Sequence, residues 1–443
     1  MSIHRYQLSS NGLNIFVDPM QSNPAVTVIV GFKAGSLYEN EKNNGIAHFT
    51  EHLFFRGGKR YPTARDVATA IRGLGGYTNA FTYSEKVIYI IRIPALHIEK
   101  GLDIISDMLL NARFDEPDIE EERGPVLQEI NMNYDDISDA SHKAVKTLMV
   151  DKSSPHFWDI IGTPKNILSF QQADFLNFRN AHYVADNGLV AVAGGVKPRQ
   201  VFKLAEKYFS EFKSTVPNMP KRAPFQAFDG TERVAYFPMD REQVRIVLTV
   251  PTVFMNDPKE KTAMILNSIF GGGMSSRLFE EVRSKKSLAY SVGSYISNGQ
   301  DFGWLNCVAL TSPDKVVDTT EAIMEVCGSM VVNPPSITEC LNARNYFTGS
   351  LAIGAGTQSI EYISAYRMVN QELLRGRARS IGELIKEYNS VTSQDVTQMA
   401  YEVFVPNNFK LALAGPVSDE MLEDIKRRVS IFSGAGVLEA SFK

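Results

Sequence analysis

The sequence predicts an α+β fold built from two structurally related mixed α/β domains. Three observations lead to this prediction. Strand-like and helix-like segments occur in both halves of the 443 residues but do not alternate strictly, which disfavours a doubly wound parallel sheet. The second half of the chain repeats parts of the first. A proline-rich segment lies between the two halves.

A weak internal repeat indicates that the two domains arose by duplication. Residues 185–196 read ADNGLVAVAGGV, and residues 406–417 read PNNFKLALAGPV. Each copy reads as a turn and a short buried strand that ends at glycine, preceded by a helix. Five pairs of identical residues share an offset of 221, namely Asn187/Asn408, Ala191/Ala412, Ala193/Ala414, Gly194/Gly415 and Val196/Val417.

The predicted domain boundary is the polar segment at residues 213–225. Proline fixes φ and removes a backbone donor, so a segment that contains several prolines and no hydrophobic period reads as an extended, semi-rigid linker. We therefore predict one domain at residues 1–212 and a second at residues 226–443. The prolines of the linker are Pro217, Pro220 and Pro224.

Each half carries its own strands and helices. Runs rich in β-branched residues read as strands, such as VTVIVGF and KVIYIIRIP in the first half and VRIVLTVP and WLNCVAL in the second. The segments with a helical period are 45–56, 64–74, 97–111, 117–150 and 199–209 in the first half, and 258–270, 275–285, 314–331, 336–351 and 358–374 in the second.

Composition excludes several classes of protein. There are 46 Lys+Arg and 50 Asp+Glu, a net charge of −4, so we expect no nucleic acid partner. No run of about 18 apolar residues occurs, so we expect no membrane span. No signal peptide is visible. The three cysteines are too few and too scattered for a disulfide framework, which favours a reducing compartment, and they form no CxxC pair, which argues against a cysteine zinc site. We expect a cytoplasmic protein.

All seven histidines lie in the first 182 residues. Two of them form a motif that predicts a metal site. The segment GIAHFTEHLFFRG contains His48, Glu51 and His52. On a helix, positions i and i+4 project from one face, so both imidazoles can bind one tetrahedral zinc ion. Glu51 can reach a water on that ion without being a ligand, as a metal hydrolase requires. Two histidines in a surface salt-bridge network would show the same spacing.

A catalytic zinc ion needs a third protein ligand, and no other histidine has suitable spacing. The helical segment DIEEERGPVLQEINMNYDD offers Glu129, with 76 residues between it and His52. Glu122 lies seven positions earlier, two turns away on the same helix face. We assign Glu129 as the ligand and Glu122 as a hydrogen-bond partner of a ligand. The alternative for Glu122 is a solvated charge in an acidic run.

These motifs resemble those of the pitrilysin/insulinase superfamily, the inverzincins, whose zinc motif inverts the commoner H-E-x-x-H. The resemblance is to the short members, such as mitochondrial processing peptidase subunits and their bacterial relatives, and it extends over essentially the whole chain. Besides the zinc motif it includes GGYTNAFTYSEKVIYI, IIGTPKNI and HYVADNGLVAVAGGV in the first half and FGGGMSSRLFEEVRSKKSLAYSVGSY in the second.

The resemblance implies further site residues. Arg283 and Tyr290 match the arginine and tyrosine that family members bring to the substrate, where such groups stabilise a developing oxyanion. An exposed helix arginine and a strand aromatic are the ordinary alternatives. Asn79 and Ala80 match positions near the bound peptide, on a strand whose edge can pair with an extended substrate.

The second half departs from the family pattern in one place, and it lacks a zinc motif of its own. Lys286 and Ser287 replace the usual Arg-Gly, which affects the turn that aims Tyr290. Three glycines at 271–273 stand where a duplicated half would carry its own zinc motif. We expect a degenerate copy that keeps the scaffold without the metal.

The resemblance implies a zinc metalloendopeptidase that acts on peptides or unfolded segments. Zn²⁺ would bind to His48, His52 and Glu129, with Glu51 as the general base. Family members enclose a chamber between two half-size units, which implies a homodimer, or a heterodimer with a related chain. The alternative is a non-catalytic subunit, either of a heterodimeric peptidase or of the structural core type found in respiratory complexes.

Overall fold

The computed structural model describes residues 3–216, 219–354 and 358–433, which group into two compact units. Unit 1 consists of Met1–Met132, Trp158–Ala223 and Gly354–Ile381. Unit 2 consists of Asn133–Phe157, Pro224–Ile353 and Gly382–Lys443. The predicted linker and domains include some positions outside the described residues, namely 1, 2, Pro217, 218, 355–357 and 434–443.

A six-stranded sheet forms the centre of unit 1. The strands of the first half are β1 (His4–Gln7), β2 (Asn14–Pro19), β3 (Ala25–Phe32), β4 (Tyr77–Thr82), β5 (Val87–Pro94) and β6 (Gly188–Gly194). The helices of the first half of the sequence are α1 (Ile46–Phe54), α2 (Ala64–Arg72), α3 (Ile98–Asn111), α4 (Glu116–Asp135), α5 (Ile137–Met149), α6 (Pro164–Ser169), α7 (Gln172–His182) and α8 (Pro198–Phe209). The strand order is β1-β2-β6-β3-β5-β4. Alternate apolar residues of β3 and β5 enter a core with Phe49 of α1 and Leu102 of α3.

Unit 2 has a five-stranded sheet with its own core. The strands of the second half are β7 (Val234–Pro238), β8 (Val244–Pro251), β9 (Ser291–Asn298), β10 (Gly303–Thr311) and β11 (Lys410–Gly415). The helices of the second half of the sequence are α9 (Glu260–Gly271), a π-helix (Phe279–Lys285), α10 (Val316–Val332), α11 (Ile337–Ile353), α12 (Ile360–Arg375), α13 (Ile381–Asn389), α14 (Ser393–Val403) and α15 (Asp419–Ser433). The strand order is β7-β11-β8-β10-β9. No helix in the described part of the chain is long and apolar enough to span a membrane.

The two sheets share one topology, which supports the predicted duplication. Without β1, the sheet of unit 1 reads β2-β6-β3-β5-β4. Counted within each unit, both sheets then follow the order 1-5-2-4-3. In both, the first two neighbours are parallel and the other pairs are antiparallel. The prediction of two related mixed α/β domains is confirmed.

Each unit takes one helix from the other half of the sequence. Helix α12 packs on the sheet of unit 1, where Met368 and Val369 join a core with Ile29 and Ile88. Helix α5 packs on the sheet of unit 2, where Leu148 contacts the apolar face of β8 and β11. The compact units therefore differ from the continuous halves 1–212 and 226–443. Hydrophobic period identifies an amphipathic helix but not the sheet that it covers.

The segment 117–150, predicted as one helix, is two helices, and that prediction was wrong. Helix α4 ends at Asp135 and α5 begins at Ile137. Asp136 has an extended backbone, and its carboxylate accepts hydrogen bonds from the amides of Ser138 and Asp139. Such an N-cap satisfies amides that a continuous helix would bond internally, so the acidic residue starts a new helix.

We expect alanine at either of two equivalent glycines to destabilise the protein. Gly194 has φ +136°, and a Cβ atom there would lie 2.2 Å from Ala25 O. Gly415 has φ +124°, and a Cβ atom there would lie 2.5 Å from Gln243 O. Each substitution should lower the free energy of unfolding by at least about 2 kcal/mol, measured by urea denaturation. Gly273→Ala is the control, since its Cβ meets nothing within 4 Å. Unchanged stability at both glycines would contradict the shared geometry.

Candidate metal centre

Helix α1 carries the HxxEH motif, and a buried carboxylate holds its N-terminus. Glu39 accepts hydrogen bonds from Gly45 N at 2.9 Å and Ala47 N at 2.8 Å. These amides belong to the first turn, whose donors lack intrahelical partners. Burial raises the pKa of Glu39 to about 7, although the hydrogen bonds oppose the rise. Phe49 and Phe54 of α1 are buried in the core, which leaves the motif facing α4.

The three predicted ligands converge on one point. His48 Nε2 lies 3.6 Å from Glu129 Oε1, and His52 Nε2 lies 3.6 Å from Glu129 Oε2. One ligand atom from each residue falls within 4.8 Å of the others, and no other such group of three occurs among the described residues. Two atoms bound to one tetrahedral zinc ion lie about 3.4 Å apart. The donor set and its spacing therefore fit zinc.

Glu122 contacts a ligand and is not a solvated charge. Its Oε1 lies 3.0 Å from His52 Nδ1, and its side chain is only 17% exposed. A carboxylate at Nδ1 places the ring proton there, because a neutral imidazole carries one N–H. When the His52 ring is neutral, its Nε2 is therefore unprotonated and can bind a metal on the side of Glu129.

The two histidines have opposite pKa shifts. Burial, with a smaller contribution from the neighbouring His52, lowers the pKa of His48 to about 4. Burial also opposes the charge of His52, but hydrogen bonds to Glu122 and Glu129 outweigh it and raise the pKa of His52 to about 9. Metals bind unprotonated imidazole, so His48 is ready to bind at neutral pH, whereas binding at His52 displaces a proton.

Glu51 has the environment of a group that takes up and returns a proton. It is buried, and Thr82 Oγ1 donates a hydrogen bond to its Oε2 at 2.5 Å. Burial raises the pKa of Glu51, while the Thr82 hydroxyl and His52 oppose the rise. Thr82 was missed in the sequence. Because Ala80 and Thr82 alternate onto one face of β4, the strand period could have identified it.

Asn79 and Ala80 lie on β4 at the end of the sheet, where one strand edge has no strand partner among the described residues. The Tyr83 N–H donates a hydrogen bond to Lys86 O and so points towards the partner strand. Successive residues of an antiparallel strand point their backbone groups alternately towards and away from the partner, so the Ala80 amide, three residues earlier, points away from β5. Asn79 Oδ1 accepts a hydrogen bond from the Ala80 amide at 3.0 Å. Both residues border a cavity of about 670 Å³ that also contains the predicted zinc ligands. A backbone donor at an open edge can bind an extended peptide.

Arg283 and Tyr290 lie in unit 2, outside the unit that contains the candidate metal centre. Arg283 belongs to the π-helix, and its guanidinium lies 5.0 Å from the ring centroid of Phe279. The Tyr290 side chain is 62% exposed, and its amide donates to Leu310 O at 2.9 Å. The turn before Tyr290 keeps a left-handed residue, Ser287, at φ +51°.

The fold and the inverted zinc motif define a metallopeptidase-type protein, and comparisons identify the family. A model described as insulinase (peptidase family M16) matches residues 16–153. A model described as peptidase M16 inactive domain matches residues 169–347. The chain belongs to the insulinase family of peptidases, and it is of the short, processing-peptidase-like kind. The family resemblance seen in the sequence is confirmed.

Similar proteins carry the name zinc protease. An uncharacterized zinc protease of Bacillus subtilis is 29% identical over 94% of this chain and 98% of its own length. One from Rickettsia bellii is 36% identical over 69% of this chain and 73% of its own. One from Streptomyces coelicolor is 30% identical over 92% and 89%. The relatives of this chain within the family are thus named zinc proteases.

Solved structures share the fold at low sequence identity. A protease from Helicobacter pylori has a TM-score of 0.83 at 19% identity, over 94% of this chain and 99% of that one. A chain of complex III2 from Candida albicans has a TM-score of 0.81 at 16% identity, over 98% and 100%. These likenesses extend over both units and confirm the α+β fold class.

Replacing Thr82 with valine should weaken any peptide hydrolysis that depends on Glu51. The change keeps the volume and removes the hydroxyl that donates to Glu51, so we expect kcat/KM for Glu51-dependent peptide hydrolysis to fall about tenfold. Thr82→Ser should restore most of the rate. Zinc content, measured in parallel, should stay the same. A Thr82→Val protein as fast as the original would show that the hydrogen bond does not assist Glu51.

Replacing Ser287 with glycine should stabilise the protein. A side chain at φ +51° is strained, so we expect the free energy of unfolding to rise by about 0.5–1 kcal/mol. Lys286→Gly is the control, because Lys286 has φ −93° and glycine there relieves no strain; it adds freedom to the unfolded chain and removes the exposed ion pair of Lys286 with Glu325. Thermal unfolding of both variants measures the difference. A loss of stability in Ser287→Gly would contradict the strain.

Proposed function

We propose that this protein is a zinc-dependent metalloendopeptidase that cleaves peptides or unfolded segments. The observation that carries the proposal is the convergence of His48, His52 and Glu129 with a buried carboxylate, Glu51, beside them. Two imidazoles and one carboxylate are a common ligand set of catalytic zinc, which keeps a position open for water or substrate.

The residues of this chain divide the work of hydrolysis. His48, His52 and Glu129 would hold the zinc ion, which supplies Lewis acidity towards the scissile carbonyl and lowers the pKa of a coordinated water. Glu51 takes a proton from the attacking water and passes it to the leaving amine, so no net proton remains on the carboxylate. Its raised pKa favours the uptake of the proton from water.

The open edge of β4 is the proposed binding site for the substrate. An extended peptide would replace Asn79 as the partner of the Ala80 amide and present its backbone beside Glu51. Recognition of this kind depends little on side-chain identity. It selects extended chains over folded ones, because a folded protein has few free strands to offer.

Arg283 and Tyr290 are proposed to stabilise the oxyanion that forms on the substrate carbonyl. The family resemblance implies a pair that faces a zinc centre across a chamber. We propose a homodimer in which the pair of one chain serves the zinc centre of its partner. A heterodimer with a related chain would be assembled in the same way.

The second candidate is a non-catalytic subunit. The likeness to a chain of complex III2 and the match to a model described as an inactive domain favour it. Against it stands the complete set of ligands in unit 1 with Glu51 beside them. A subunit with no chemistry to perform would not need a buried carboxylate next to three convergent ligands.

One experiment tests the enzyme proposal. The purified chain should contain about one zinc ion and cleave members of a diverse peptide library. Glu51→Gln should keep the zinc and lose at least about 100-fold in kcat/KM. His48→Ala should lose the zinc, which separates metal binding from proton transfer.

The outcomes distinguish the candidates. Zinc bound without Glu51-dependent cleavage of any peptide would refute the enzyme proposal for the chain alone. Native mass measured on the same sample tests the dimer, and an active monomer would refute a site that requires two chains.

A further inference from the structure

Arg56 follows α1 one turn after His52, and its guanidinium lies among the carboxylates at the start of α4. Arg56 Nη1 is 3.4 Å from Glu122 Oε2. Its Nε and Nη2 are each 3.3 Å from Asp118 Oδ1, and Nη2 also pairs with Glu121. The Arg56 side chain is only 18% exposed, so solvent screens these ion pairs incompletely.

Glu122 uses a different oxygen for each of two partners. Oε1 faces His52 Nδ1 at 3.0 Å, and Oε2 faces the guanidinium of Arg56. His52 lies in α1 and Arg56 in the turn that follows it, and both contact the carboxylate of Glu122. Turning the carboxylate would break both contacts. Arg56 therefore limits Glu122 to orientations in which Oε1 is directed at His52.

This arrangement has a consequence for His52. In the neutral ring that binds a metal, a carboxylate held at Nδ1 keeps the one ring proton there and leaves the Nε2 lone pair directed at Glu129. Without the guanidinium, Asp118, Glu121 and Glu122 would carry three negative charges within two helical turns. Their repulsion would then be uncompensated, and Glu122 would lose the contact at Oε2 that fixes the orientation of its carboxylate at His52.

We propose that Arg56 is a positioning residue for metal binding. It holds Glu122, and Glu122 holds His52 in the ring orientation and tautomer that the metal requires. This inference rests on the metal-binding part of the proposed function and does not depend on peptide cleavage. The competing role for Arg56 is a clamp between α1 and α4, which would change the stability of the protein but not its affinity for zinc.

Zinc affinity tests the proposal directly. Dissociation constants are measured by competition with a chelator for the original protein, Arg56→Gln and Arg56→Lys. We expect Arg56→Gln to weaken zinc binding about 10-fold, the lower end of the effect of removing a direct partner of a metal ligand, because Arg56 acts through Glu122. Arg56→Lys should recover part of the loss, because lysine restores the charge without the planar fork.

A double-mutant cycle shows whether Arg56 acts through Glu122. If it does, Arg56→Gln should change zinc affinity less than about twofold once Glu122 is replaced by glutamine. Cobalt provides a spectroscopic readout of the ligand geometry. Arg56→Gln and Glu122→Gln should alter the visible absorption of the cobalt-loaded protein in the same way, which a clamp far from the ligands would not do.

Arg60 offers the matched control. It lies on the same connection after α1, and its Nε is 2.7 Å from Asp103 Oδ1 on α3, with Asp107 on the same helix also paired. These carboxylates have no contact with the zinc ligands in the described residues. We expect Arg60→Gln to lower thermal stability and to leave the zinc dissociation constant unchanged within about twofold.

The outcomes separate this inference from the enzyme proposal. Zinc binding by Arg56→Gln equal to that of the original protein, or losses that multiply in the double variant, would overturn it. A zinc effect that vanishes in the Glu122→Gln background supports it, even if no peptide is cleaved and the enzyme proposal fails. An original protein that binds no zinc would refute both.

Discussion

The chemistry of unit 1 depends on two helices that face each other, because neither contains a complete site. Helix α1 supplies two imidazoles and Glu51, and α4 supplies Glu122 and Glu129. The opposite character of the two faces draws them together, since the imidazoles and Arg56 meet a row of carboxylates. The fixed start of α1 at Glu39 sets the rotation of the helix and so the direction of each donor.

The second half of the chain keeps the architecture of the first and none of its imidazoles. Its sheet repeats the strand order and ends its last strand at the equivalent glycine, Gly415, yet it contains no histidine. A strand order is maintained by many apolar contacts, each of which tolerates replacement. A metal site depends on a few side chains, so single substitutions abolish it. Duplication therefore leaves a scaffold free for other roles.

Much of the candidate site could be predicted because its spacing is local. The interval between His48 and His52, and that between Glu122 and Glu129, follow from the helical period alone. Helical spacing could not identify Thr82 or Arg56, because their importance comes from contacts across the fold, with Glu51 and Glu122 respectively. For Thr82 the only signal was the two-residue period of β4, which it shares with Ala80. The fold class followed from the mixture of strand and helix patterns. The cap at Asp136 was hidden in a charged run that reads as continuous helix.

The exchange of α5 and α12 also affects biosynthesis. A ribosome completes every strand of the first sheet long before it adds α12, so Ile29 and Ile88 remain uncovered while more than 150 residues are still to be made. The nascent chain is exposed to aggregation during that interval. Neither half, expressed alone, contains all the segments of one compact unit. Evolution can therefore not shorten this protein to one half by simple truncation, although its two halves began as copies.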